Sequence, residues 1–124
     1  MIILDRLEIL NKVLENSLFC VNEHGTNEDE PNYYYIWFET KENTKDSYLL
    51  LAELANKLAL ILHRTNIYDV KIELMWCWAN VLDNEGIDTN PSIQLEVLNK
   101  DLDKVMVTMS DYGDFLLNKF CKRI

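Results

Sequence analysis

Two adjacent segments carry different hydrophobic periods, and that switch limits the folds open to this chain. From Ser47 to about Arg64, Leu51, Leu54, Ala55, Leu58, Ile61 and Leu62 recur at the three- and four-residue intervals of a helix. Apolar side chains occupy more than one face of it, which suits a central helix packed across a sheet. Asp46 or Ser47 is placed to cap its start. From Tyr68 the period becomes two. Tyr68, Val70, Ile72, Leu74, Trp76 and Trp78 fall on one side, with Asp69, Lys71 and Glu73 opposite. Beyond Glu73 the second side turns apolar as well (Met75, Cys77, Ala79), so that half of the strand is either covered on both faces or exposes a contact patch.

The remaining elements follow from the same reading. Ile3, Leu7, Leu10, Leu14 and Leu18 make residues 3–18 an amphipathic helix. His24 to Asn32 is a polar, turn-prone loop, and Tyr33 to Thr40 is an aromatic strand. Asp83-Asn84-Glu85-Gly86 reads as a turn, and Ser92 to Leu98 alternates Ile93, Leu95 and Val97 inward. Lys104 to Met109 is β-prone, although 101–109 also admits a helical turn. Ser110 can cap a closing helix over 111–123 with Phe115, Leu116, Phe120 and Cys121 as core contacts. The expectation is one α+β domain over residues 1–124, in the order α-β-α-β-β-β-α. An antiparallel sheet of about four strands would carry a central core helix and N- and C-terminal helices.

Charge and composition narrow the function classes. The 124 residues carry 21 Asp and Glu against 12 Lys and Arg, a net charge of −9. Residues 23–46 hold −5 of it and residues 83–114 hold −6, while the last ten residues are +3. Phosphate backbones and anionic membranes both select for clustered Lys and Arg, so direct nucleic-acid or membrane-surface binding is disfavoured. A protein partner with a basic surface suits this charge. No run approaches the roughly 20 apolar residues of a membrane helix, and the N-terminus becomes charged too early for a signal peptide. Three scattered cysteines (Cys20, Cys77, Cys121) suit reduced thiols in a cytoplasm. The Asn, Ile, Lys, Asp and Tyr enrichment matches the codon bias of an AT-rich genome, such as a low-GC bacterium or its phage.

The usual chemistry-bearing patterns are weak here. Cys20-x-x-x-His24 lacks a second close ligand pair for structural zinc. Asp83-x-Glu85-Gly86-x-Asp88 resembles a calcium loop only at its centre, because Val81 and Ser92 stand where acidic ligands belong. Asp69-x-Lys71 has the acid-x-lysine spacing of metal nucleases without a basic groove. Nothing sets a cysteine beside His24 or His63, and three glycines do not build a phosphate loop. No catalytic residue, metal or cofactor is assigned, and the chain is not expected to be an enzyme.

What stands out is aromatic. On the first strand one parity carries Tyr33, Tyr35 and Trp37, and the other carries Tyr34, Ile36 and Phe38. The economical arrangement sends Ile36 and Phe38 to the core helix and Tyr35 and Trp37 to the open face, although a core on both sides would bury every ring. Tyr and Trp are enriched at binding hot spots because they bury much area at little entropic cost. The candidate partner-binding residues are therefore Tyr33, Tyr35, Trp37, Trp76 and Trp78, with acids Asp83, Glu85, Asp101 and Asp103 to steer association. The leading reading is a small acidic intracellular protein-binding module that occludes a basic partner surface. Inhibitors, immunity proteins and phage anti-defence factors act this way. The alternatives are a small-molecule binding or sensing domain with an aromatic pocket, and a structural protein that self-associates as a homodimer through a sheet face or edge.

Overall fold

The structure, a computed structural model, describes residues 2–42, 44–75 and 91–118, with side chains from residue 8 to residue 117. Helix α1 (Ile2–Leu14) leads into a hairpin of β1 (Phe19–Thr26) and β2 (Tyr33–Thr40). Helix α2 (Ser47–Arg64), strands β3 (Val70–Met75) and β4 (Ser92–Leu98), and helix α3 (Leu102–Asp111) follow. A 3-10 turn (Asn99–Asp101) precedes α3, and a π-helical turn (Asp114–Asn118) comes after it. The four strands form one antiparallel sheet in the order β1-β2-β4-β3. Strands β2 and β3 both run antiparallel to β4, so the β2-α2-β3 connection spans the strand inserted between them.

The α+β class and the four-stranded antiparallel sheet are as expected; the element order is α-β-β-α-β-β-α. Two elements account for the difference. Phe19–Thr26 is a strand, and its second half occupies what reads as the start of a polar loop. Phe19 and Val21 sit opposite Thr40 and Phe38, then a bulge shifts the register before Glu23 pairs with Trp37. From Asn22 to His24 the side chains are exposed, so the outer half of this edge strand has no apolar alternation to betray it. Leu102–Asp111 is helical where the sequence reads as β-prone. Leu102, Val105, Met106 and Met109 are buried at helical spacing, and that burial overrides the β preference of Val105, Val107 and Thr108. Ser110 consequently lies inside α3 and caps nothing. Leu116 is buried and Phe115 half-buried, while Phe120 and Cys121 lie outside the described residues.

Helix α2 is the core helix, burying Leu51, Leu54, Leu58, Ile61 and Leu62. Its flank contacts Ile36 and Phe38 of β2 and Ile93, Leu95 and Val97 of β4 within one buried cluster that also takes in Leu10, Leu14 and the buried side chains of α3. Asp46 is the capping residue but makes no side-chain cap bond. Ser47 is fully buried instead and organises the preceding loop: its Oγ accepts from the Thr44 amide (2.9 Å) and from Thr40 Oγ1 (2.9 Å). The far end closes in a Schellman arrangement. Asn66 takes a left-handed φ of 65°, its N–H bonds to His63 O, and the Ile67 N–H bonds to Leu62 O. That turn delivers buried Ile67 to the core and starts β3 at Val70, two residues after exposed Tyr68.

Candidate functional site on the open sheet face

Among the described residues the helices pack on one face of the sheet, so strand parity decides what the other face shows. Register pairs Tyr34 with Val97, Ile36 with Leu95 and Phe38 with Ile93, all buried toward the helices. The opposite parity gathers Glu23 and Gly25 of β1, Tyr33, Tyr35 and Trp37 of β2, Gln94 and Glu96 of β4, and Lys71 and Glu73 of β3. Two rows cross the sheet: Glu23–Trp37–Gln94–Glu73, and Gly25–Tyr35–Glu96–Lys71. Tyr35 and Trp37 therefore lie on the open face, half-buried, as the economical parity assignment requires.

Each ring is pinned by a polar neighbour. The Tyr35 and Trp37 rings stand 6.0 Å apart at 52°. Trp37 Nε1 donates to Gln94 Oε1 at 2.6 Å, and the Tyr35 hydroxyl donates to Glu23 Oε2 at 2.7 Å. The Tyr33 hydroxyl donates to Asp69 Oδ1 at 2.9 Å. Opposite Tyr35 the strand carries glycine, and a methyl there would meet the phenol oxygen at 3.4 Å; the ring lies over the space a side chain would take. Hydrogen bonding to Glu23, followed by burial and the charges of Glu23 and Glu28, raises the Tyr35 pKa above its ordinary 10.0. Tyr33 is raised in the same way, first by its bond to Asp69.

A carboxylate sits under this surface. Glu96 is 3% exposed although its parity is the open one. Asn27 Nδ2 donates to Glu96 Oε2, and Lys71 Nζ stands 3.8 Å from Oε1 with its own side chain 63% exposed. Asn27 is itself fixed by the β1–β2 turn: its N–H bonds to Tyr33 O (3.0 Å), and its Oδ1 accepts the amides of Asp29 and Glu30. Beside it opens a concavity of about 240 Å³ lined by Glu23, Asn27, Glu28, Tyr35, Trp37 and Gln94. Its wall combines two aromatic rings, two carboxylates and two side-chain amides, a chemistry that can receive a cation.

Of the residues singled out from sequence, Tyr33, Tyr35 and Trp37 come together here. Trp76, Trp78, Asp83 and Glu85 lie outside the described residues. Asp101 closes the 3-10 turn and exposed Asp103 begins α3, which packs on α1 and α2 away from the open face. Glu23, Asn27, Glu28, Gln94 and Glu96 escaped the sequence reading because they come to the rings only through the β1 and β4 registers. Cys20 and His24 fall on opposite faces of β1, paired with Glu39 and Ile36 respectively. His24 Nδ1 instead meets the Tyr34 hydroxyl at 2.7 Å. Burial pushes the half-buried Cys20 thiol pKa up, with help from Glu39. Among the described residues no three His, Cys, Asp or Glu side chains gather as a metal site, and no helix is long and apolar enough to cross a membrane. Compared with protein-family models, curated proteins and solved structures, the chain matches none.

Proposed function

We propose that the chain is a protein-binding module whose open sheet face covers a basic surface of its partner, as an inhibitor, immunity protein or phage anti-defence factor would. The observation that carries the reading is the Tyr35–Trp37 pair set beside Glu23 and Glu28 around a concavity of side-chain size. A lysine or arginine of the partner enters that concavity, its charge over the rings and against the carboxylates. A cation–π contact contributes about 0.5–2 kcal/mol depending on desolvation. The net charge of −9 steers the approach. Because the rings are held by Gln94 and Glu23 before binding, little side-chain entropy is lost on association. The free, partly buried Cys20 suits action in a reducing cytoplasm.

The test is capture from lysate of the native host on immobilised protein, comparing wild type with Trp37→Ala. The reading requires one stoichiometric protein on the wild type, released by high salt and missing from the variant. A second reading draws on the same concavity: a free cationic amine, rather than a partner side chain, would occupy it. That ligand would raise the melting temperature of the isolated chain, which a protein anchor residue supplied only by its partner does not.

A further inference from the structure

The two edges of the sheet are built differently. The outer strand β1 is broken by a bulge between Val21 and Glu23, a device that spoils pairing with another chain. Strand β3, at the other edge, pairs with β4 through six consecutive residues without a register shift, and contains neither proline nor glycine. Among the described residues nothing pairs with its outer side. Its sequence, Val70-Lys71-Ile72-Glu73-Leu74, alternates apolar residues on the helix side with one cation and one anion on the open side.

From this pattern we infer that β3 pairs antiparallel with β3 of a second copy, about a twofold axis through Ile72. Among registers that keep more than half of the six β3 residues in the ladder, elimination leaves one. Pairings whose residue numbers sum to an odd value set apolar side chains against charged ones on the same face and send the helix sides of the two copies to opposite faces. Centring on Lys71 or on Glu73 sets like charges directly opposite each other, which is repulsive. Centring on Ile72 pairs Val70 with Leu74, Ile72 with itself, and Lys71 with Glu73 twice. Lys71 is free to reach across, since its side chain is 63% exposed and its contact with Glu96 is long at 3.8 Å. Glu73 is exposed.

A neighbouring surface extends the contact. Ala59 and His63 of α2 line a groove of about 270 Å³ with Ile67, Tyr68, Val70 and Ile72 along this edge. Tyr68 is 64% exposed and Leu60 of the same helix is 42% exposed. The two copies form a continuous eight-stranded sheet, with each α2 beside its counterpart over the shared edge. Edge pairing leaves the open-face residues Tyr35 and Trp37 outside the contact, so it is independent of the partner surface proposed above.

Sedimentation equilibrium of the intact chain from about 5 to about 500 µM tests it, a range suited to a modest interface. The expected result is a concentration-dependent dimer. Glu73→Lys, which leaves Lys71 and Glu96 in place, should weaken it about tenfold or more by setting lysines opposite lysines. Mixing Glu73→Lys with Lys71→Glu chains should recover dimers that neither forms alone, with circular dichroism confirming that both fold. Amide exchange over residues 70–74 should slow as concentration rises. A monomer throughout the range overturns the inference. So does a dimer indifferent to Glu73→Lys, or one whose formation leaves exchange at 70–74 unchanged; either would mean that the copies meet elsewhere.

Discussion

Asn27→Ala removes one side chain with two duties, and the structure sets the size of the loss. The first duty is the hydrogen bond from Nδ2 to Glu96 Oε2, made to a carboxylate that is 3% exposed. Hydrogen bonds to charged groups contribute about 1.5–3 kcal/mol, and a buried acceptor left unmet adds its desolvation to the loss. The second is the turn, where Oδ1 accepts the exposed amides of Asp29 and Glu30; water replaces those bonds at little cost. Lys71 remains near Glu96, but at 3.8 Å and with a mostly exposed side chain it offsets only a small part. The expected destabilisation is about 2–3 kcal/mol, which for a domain of this size lowers Tm by about 8–12 °C. Glu96→Gln keeps an acceptor for Asn27 and removes the buried charge, so it should cost about 1 kcal/mol or less. Urea unfolding of wild type and both single variants measures the two losses. If Asn27→Ala loses under about 0.5 kcal/mol, Glu96 is not held by Asn27.

Other substitutions separate surface from core. Phe38→Ala should cost about 3–5 kcal/mol, whereas Trp37→Ala, one residue away on the open face, should cost about 1–2 kcal/mol and leave the circular dichroism spectrum intact; equal losses would place Trp37 in a core. Asn66→Ala must hold a side chain that lacks asparagine's tolerance for φ 65° and should cost about 1 kcal/mol in thermal unfolding, while Asn66→Gly should be near neutral. The raised phenols of Tyr33 and Tyr35 hold their protons more tightly folded than unfolded, so their contribution to stability is complete below pH 10 and declines as pH rises through the folded values. Ultraviolet titration of Tyr35→Phe should lack one late-ionising phenol, and Glu23→Gln should bring that phenol's ionisation earlier; an unaltered late limb in both variants would remove the Glu23–Tyr35 bond from the account.

How much of this could be read from the chain depends on where burial leaves a periodic trace. Helix α2 and strands β2 and β4 each bury a regular stripe, so their period announces them, and the split between Ile36/Phe38 and Tyr35/Trp37 follows from one sheet face meeting α2. Strand β1 leaves almost no trace. It is an edge strand, bulged after Val21, whose outer residues bury nothing and are held by backbone pairing to β2. Without β1 on the sheet, Glu23 and Asn27 have no route to the rings. In α3 the same residues fit two periods, and only contact with α1 and α2 favours the helix. Glu96 shows a different limit: by parity it reads as an ordinary outward acid, yet it is buried and its hydrogen-bond partner Asn27 lies 69 residues away.

Side-by-side capture on wild-type, Trp37→Ala and Glu23→Gln chains from the same host lysate asks whether the Tyr35–Trp37 face receives a cationic side chain of a protein partner. One stoichiometric protein is expected on the wild type, eluted by salt, reduced on Glu23→Gln and absent from Trp37→Ala. The same protein held equally by all three chains, or no stoichiometric capture by the wild type, would contradict that reading.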